Sequence, residues 1–345
     1  LSKKVAVLVA GSWGTALAKV LADNEIDVAL WSRNEEQVRQ INDTHQNEKY
    51  MPGVDLPRRI RATTDLREAM DDAVAVVIVA PSSAMREVAR GIRPFFREDM
   101  ICIHATKGFE VGTMKRMSTV IAEELGCDES DIVVLSGPSH AEEVVRCCPT
   151  TVVVASQQLK HAEIAQDLFM NAYFRVYTNP DALGAELSGA LKNIIAIGVG
   201  LSDGLGYGDN AKAALLTRGL AEIARLGTAM GASTLTFAGL AGVGDLVVTC
   251  TSRHSRNWRA GSLLAQGKPL QEVLDRMGMV VEGIRTTEAA YALARQYDVQ
   301  MPITDQLYHV LFENKEPKAA VEDLMGRVKR HEIEEVVNET NFKLL

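Results

Sequence analysis

Residues 5–10 form an unbroken apolar run rich in valine, and residues 15–24, beyond a glycine-containing turn, repeat alanine and leucine at helical spacing. An unbroken β-branched run marks a strand buried on both faces, whereas a 3.6-residue apolar period marks a helix packed along one side. The alternation continues through the first half of the chain. Residues 26–31, 73–80, 100–105, 132–135, 150–155 and 174–177 read as strands, and 34–41, 83–92, 114–125 and 162–169 as helices between them. Repeated alternation predicts an α/β fold on a doubly wound, mainly parallel sheet. After Asn179 and Pro180 the strand pattern stops. Helices are expected near 181–202, 211–230, 234–241, 256–266, 269–277, 286–297, 302–312 and 317–329, making the remainder all-α. The domains are therefore set at 1–179 and 180–345 without a long linker, with the ligand site at the carboxyl ends of the parallel strands.

Composition narrows the function classes. The chain has 345 residues, 37 Lys and Arg against 45 Asp and Glu, a net charge of −8 and 47% hydrophobic residues, as expected of a soluble two-domain globular protein. The acidic balance argues against a nucleic-acid surface, while leaving room for a local cationic pocket. Cys102, Cys127, Cys147, Cys148 and Cys250 form no C-x-x-C pair, and their odd number makes a poor disulfide framework. A reducing, cytoplasmic compartment is the expectation. Lys3 and Lys4 precede an apolar run too short for a signal peptide, and no uninterrupted apolar run reaches the roughly 18 residues of a membrane-spanning helix. Neither an internal repeat nor a low-complexity tract is present.

The turn after the first strand carries the first candidate chemistry. A G-x-G-x-x-G loop uses its glycines for a tight turn, for close approach of a dinucleotide pyrophosphate and for helix–strand packing. Here the run is Val9-Ala10-Gly11-Ser12-Trp13-Gly14, so the second and third glycines are present and valine stands first. The flanking strand and helix supply the context of a Rossmann-like loop, but such turns also occur without ligands. About 20 residues beyond Gly11, where a carboxylate would bind an NAD ribose, the chain reads Trp31-Ser32-Arg33-Asn34. Arg33, helped by Ser32 and Asn34, suits a 2′-phosphate, which favours NADP(H) and leaves NAD(H) open. An ordinary surface arginine is the alternative.

Three further clusters sit where the topology converges on a ligand: 104–108 around Lys107, 136–143 around Gly137 and Ser139, and Lys192-Asn193 inside an apolar helix. Burying the Lys192 ammonium is unfavourable unless it is paired or lines a cavity, and burial disfavours its charged form, which suits proton transfer. The alternative is a lysine whose head reaches water. The run 242–251 contains Asp245, whose ordinary alternative is a loop residue capping a turn, and is followed by Ser255-Arg256-Asn257-Trp258, which looks like a helix start. Free amides there, with Arg256 beside them, suit a phosphate. Ser255 also fits an ordinary N-cap, a role compatible with binding. Metal-ligand spacing among the seven histidines, a G-x-S-x-G elbow and a P-loop are all absent from the sequence.

The ordered motifs LSGPSHAEE from Leu135, GALKNIIAIG from Gly189, DGLGYGDNAKAALLTRGLAEI from Asp203, GVGDLVVTCTS from Gly242 and HSRNWRAG from His254 closely resemble bacterial NAD(P)-dependent sn-glycerol-3-phosphate dehydrogenases over essentially the full chain. Val9 is the departure, since that family has glycine there. The resemblance implies an all-α second domain of the 6-phosphogluconate-dehydrogenase-like type. It also implies reversible reduction of dihydroxyacetone phosphate to sn-glycerol 3-phosphate for phospholipid synthesis, in a homodimer without metal. It further implies Lys192, Lys107 and Asp245 as catalytic residues. Substrate contacts then fall on Lys107, Gly137, Ser139, Lys192, Asp245, Ser255, Arg256 and Asn257, and cofactor contacts on Gly11, Ser12, Trp13, Gly14, Arg33, Asn34, Tyr50, Lys107, Ala141, Arg256, Val280 and Glu282. A β-hydroxyacid dehydrogenase would share this architecture but need a carboxylate clamp. A non-catalytic nicotinamide sensor would bind without turnover.

Overall fold

The computed structural model describes residues 3–278 and 280–328. The chain divides into two compact units, Leu1–Ala185 and Glu186–Leu345. The expected boundary at 179/180 coincides with the end of the last strand, whereas the division falls four residues into the helix Ala182–Gly204.

The first unit is built on strands β1 (Lys4–Leu8), β2 (Asp27–Trp31), β3 (Gln46–Asn47), β4 (Met51–Asp55), β5 (Ile60–Thr63), β6 (Ala73–Ile78), β7 (Ile101–His104), β8 (Ile132–Ser136), β9 (Thr150–Ala155) and β10 (Phe174–Asn179). Eight of them form one sheet in the order β10-β9-β8-β7-β6-β1-β2-β5, while β3 and β4 make a small hairpin. All described pairings in the large sheet are parallel except β8 with β9. From β1 the chain runs outward through β2 to β5 and then crosses back to β6 on the other side of β1. The strand order reverses there, and ligand crevices of open α/β sheets form at that point.

Side chains alternate across the sheet. Val5 and Val7 enter one core with Leu17, Leu21 and Phe169, whereas Ala6 and Leu8 enter the opposite core with Met85, Val88 and Ile121. Burial on both faces accounts for the unbroken apolar runs. The edge strand β5 has no such run: it is four residues long and exposes Arg61, and the sequence pattern missed it. The helix Leu66–Met70 was missed for the same reason, being little more than one turn.

β1 stops at Leu8, two residues earlier than the apolar pattern suggests, because Val9 turns with φ +80°. A β-branched residue in the left-handed region is strained, at a cost of about 1–2 kcal/mol. The helix α1 (Ser12–Asp23) then begins, and α2 (Glu35–Thr44) follows β2.

Every element described in the second unit is helical. The helix Ala182–Gly204 is long and apolar enough to cross a membrane by composition alone, but 94% of its most apolar window is buried, as in the core helix of a globular unit. The helix Arg256–Leu264 lies against it at backbone distance. A Cβ on Gly200 would sit 2.0 Å from the Trp258 carbonyl oxygen, and one on Gly261 would sit 2.1 Å from that of Ile197. The expected single helix over 234–241 is shorter, Thr234–Phe237, and a π-helical turn at Leu240–Gly244 leads into a helix at Asp245–Thr251. The glycines at 239, 242 and 244 disfavour helix locally and made the following stretch read as a loop. Further helices run over Asp209–Ala229, Leu270–Met277, Glu282–Gln296, Pro302–Phe312 and Pro317–Met325. The last was expected to reach Lys329, which lies outside the described residues. Glu222, fully buried, caps the helix Pro302–Phe312 by accepting from the amides of Ile303 (2.6 Å) and Thr304 (3.2 Å), and burial pushes its carboxyl up to about 7.

The strain at Val9 yields a stability order. Val9→Gly should be about 1 kcal/mol more stable than Val9→Ala, despite lacking one more carbon, because only glycine escapes the left-handed penalty. Urea unfolding measures the difference; an alanine variant as stable as the glycine variant would show that Val9 carries no strain.

Candidate functional site

The turn after β1 is fixed by main-chain bonds. The amides of Val9 and Ala10 both donate to the Trp31 carbonyl at the end of β2 (3.0 and 3.1 Å), and the Gly11 amide donates back to Val9 O at 2.9 Å. Gly11 occupies the N-cap of α1, which has no capping side chain and no acidic residue in its first turn. Such a terminus presents amide donors and partial positive charge to an anion. A Cβ on Gly14 would stand 2.1 Å from Val9 O, so only glycine lets helix and turn meet, while a Cβ on Gly11 would touch nothing within 4 Å. The donors and the open approach over Gly11 fit a dinucleotide pyrophosphate.

Neighbouring candidates have defined local roles. Ser12 Oγ donates to the Tyr50 carbonyl (3.1 Å), joining α1 to the β3–β4 hairpin, and Trp13 packs half-buried against the sheet core. Asn34 uses its side chain to cap α2, accepting from the Gln37 amide at 2.9 Å. Arg33 is 73% exposed beyond the end of β2, with its guanidinium 3.8 Å from the equally exposed Glu87. Beyond β7 and β8, Lys107 Nζ and Ser139 Oγ both donate to the Gly137 carbonyl, at 3.3 and 2.9 Å. These three candidates are thus brought together, and Ala141 opens the short helix that follows.

In the second unit the buried-lysine expectation meets its partners. Lys192, 5% exposed, donates to Asp245 Oδ1 and to Thr249 Oγ1, each at 2.5 Å, and Thr249 Oγ1 donates on to the Asp245 carbonyl at 2.6 Å. Asp245 is 1% exposed and stands in the first turn of its helix, not in a loop. A buried ammonium is tolerable only with such charge-assisted bonds. Cys250 adjoins the cluster, but burial pushes its thiol up to about 12, which leaves it protonated at neutral pH.

A second polar chain runs beside it. Asn257 Nδ2 donates to Asn193 Oδ1 (2.8 Å), and the Gly283 amide donates to Asn257 Oδ1 (2.9 Å), so the Asn257 side chain is committed to joining three helices. Ser255 is the N-cap of Arg256–Leu264, its Oγ accepting from the Trp258 amide at 3.3 Å. That helix has no acid in its first turn, and Arg256 stands exposed at its start. Trp258 Nε1 donates to Asp203 Oδ2 at 2.8 Å, tying the helix start to the end of Ala182–Gly204. Val280 lies just before the N-cap of the helix Glu282–Gln296, and Glu282 is that helix's first residue. The roles of Thr249, Asn193, Gln37 and Asn47 were not read from sequence. For Thr249 a signal existed, since it lies four residues after Asp245, one helical turn away.

Models described as NAD-dependent glycerol-3-phosphate dehydrogenase N-terminus and C-terminus match residues 4–162 and 181–322. The glycerol-3-phosphate dehydrogenase (NAD(P)+) of Bacillus subtilis strain 168 is 57% identical over 337 residues, covering 97% of this chain and 98% of that protein. That of Geobacillus kaustophilus is 59% identical, also over 97% and 98%. Among solved structures, glycerol-3-phosphate dehydrogenase from Coxiella burnetii matches with a TM-score of 0.89 at 39% identity, over 94% of this chain and 99% of the other. A D-mandelate dehydrogenase structure with NADH matches at 12% identity and a TM-score of 0.59 over 92% and 99%, a likeness of fold alone.

The lysine cluster yields a stability prediction. Asp245→Ala should lower unfolding free energy by about 3–5 kcal/mol by leaving the ammonium buried without its carboxylate, and Lys192→Met combined with Asp245→Leu should recover most of it. Denaturant titration decides: a single variant of native stability would mean that Lys192 finds water.

Proposed function

The chain belongs to the NAD-dependent glycerol-3-phosphate dehydrogenase family, and from that premise we propose that it interconverts dihydroxyacetone phosphate and sn-glycerol 3-phosphate with NAD(P)H, for phospholipid synthesis. The observation that carries the reading is the ammonium of Lys192, buried and held at 2.5 Å by both Asp245 and Thr249, in the same unit as the uncapped-by-acid helix start at Arg256.

The first unit is assigned the dinucleotide. The first-turn amides of α1, with Gly11, Ser12, Trp13 and Gly14, are assigned the pyrophosphate, and Tyr50, Ala141 and Lys107 supporting contacts; Val280 and Glu282, of the second unit, are proposed as further cofactor residues. A nicotinamide so held would supply hydride chemistry. Arg256 and the main-chain amide of Asn257 hold the substrate phosphate, with Ser255 keeping the helix start open by capping it through its side chain. Holding the phosphate at one end fixes the carbonyl at the other, which supplies much of the rate enhancement. Lys192 delivers a proton to the carbonyl oxygen as negative charge grows there, and Lys107, with Gly137 and Ser139, is assigned to the same substrate. Asp245 and Thr249 aim Nζ. In the oxidative direction the neutral amine of Lys192 removes the hydroxyl proton.

NADP(H) is proposed as the preferred cofactor because the exposed Arg33 guanidinium, whose described ion-pair partner is the equally exposed Glu87 at 3.8 Å, suits a 2′-phosphate. Such exposed pairs are weak and give way readily. A cytoplasmic homodimer is the corresponding proposal for compartment and assembly.

Purified protein mixed with dihydroxyacetone phosphate and NADPH, then NADH, should consume the reduced cofactor; binding of dinucleotide without consumption would favour a sensor. Lys192→Ala should lower turnover at least about 100-fold with dinucleotide affinity unchanged, and full turnover in that variant would remove its catalytic role. Arg33→Ala should raise the KM for NADPH about tenfold and leave that for NADH within about twofold. Equal effects on both cofactors would end the 2′-phosphate assignment.

A further inference from the structure

Next to the strained turn lies a set of amide side chains that the mechanism does not use. Gln37, on α2, donates through Nε2 to the Ala10 carbonyl at 2.6 Å and to Asn47 Oδ1 at 3.0 Å. Asn47, on β3 and fully buried, donates through Nδ2 to the same Ala10 carbonyl at 3.1 Å and to Thr15 Oγ1 at 2.8 Å. All four amide protons are thus used. Gln37 is itself held in place: Ser32 Oγ donates to its Oε1 at 2.6 Å. Ala10 is the residue between Val9, at φ +80°, and Gly11, the N-cap of α1. Its carbonyl is therefore gripped by two amides from different elements, and its amide is committed to Trp31.

A β-branched residue stays in a left-handed conformation only where its surroundings over-determine it. Val9 can relax to negative φ only by rotating the Val9–Ala10 segment, which would break the bonds to the Ala10 carbonyl. On the reading that this loop takes the pyrophosphate, we propose that Gln37 and Asn47 are positioning residues that lock the turn at Val9–Gly11 in its dinucleotide-binding conformation. They touch neither reacting atom. Their contribution lies in keeping the first-turn amides of α1 aimed outward while a valine occupies a position suited to glycine. Ser32 extends the same chain to the end of β2, so the pyrophosphate turn and the strand end that presents Arg33 are fastened to each other through Gln37.

The test uses the full chain carrying Asn47→Ala or Gln37→Met, each alone and with Val9→Gly. KM for NADPH and for dihydroxyacetone phosphate, kcat, and NADPH dissociation constants by quenching of tryptophan fluorescence are measured. Each single variant should raise the NADPH KM and dissociation constant about tenfold, leaving kcat and the other KM within about twofold. In the Val9→Gly background, where positive φ carries little penalty, the same substitutions should cost about threefold or less. An equal penalty in both backgrounds, or a fall in kcat with NADPH affinity unchanged, would overturn the proposal. Gln37 is only half-buried, so Gln37→Met serves if Asn47→Ala does not fold. An unsubstituted protein that binds neither NADPH nor NADH would remove the pyrophosphate reading itself, and the proposal with it.

Discussion

A buried lysine, Lys192, with 5% of its surface exposed, organises the second unit. Taking such a charge out of water is costly by several kcal/mol after relaxation, and only close, well-aimed partners offset that. Lys192 obtains them from one helix, whose first turn carries Asp245 and whose next turn carries Thr249. The requirement reaches outward. The glycine-rich π-helical turn at Leu240–Gly244 precedes that helix and sets where it begins. The Asn193–Asn257–Gly283 chain joins the lysine-bearing helix to the start of Arg256–Leu264.

Close backbone approach does the rest of the positioning. Gly200 and Gly261 let the helices Ala182–Gly204 and Arg256–Leu264 touch main chain to main chain, and the Trp258–Asp203 bond pins the end of the contact. A larger residue at either glycine would push Arg256 and the first-turn amides away from the lysine. Protein interiors transmit such displacements because they are close-packed. The proposed assignment of phosphate to the helix start at Arg256 and of carbonyl to the buried Lys192 rests on this packing within one unit.

The first unit solves the opposite problem. The ligand proposed for it would meet main-chain donors at the start of α1, so conformation would matter more than side-chain chemistry there. Val9 makes the required conformation expensive, and the bonds around Ala10 hold the turn in it nonetheless. A departure from the glycine fingerprint thus coexists with the geometry the fingerprint serves.

The residue order alone determined the α/β alternation, the switch to helices after Pro180, the lysine misplaced in an apolar helix and the family motifs, because hydrophobic period and unusual polarity are written locally. The edge strand β5 and the helix at Asp245–Thr251 were not legible: one has too few apolar residues for its period to register, and glycines mask the start of the other. Ser255 as an N-cap was readable, since capping is a one-turn interaction. That Asp245 and Thr249 are the partners of Lys192, more than 50 residues distant, was decided by packing. The grip of Gln37 and Asn47 on Ala10 was likewise decided only in three dimensions. Burial makes each of those polar atoms need a partner, and which partner it meets depends on how separate elements dock, a relation that no local spacing in the chain encodes.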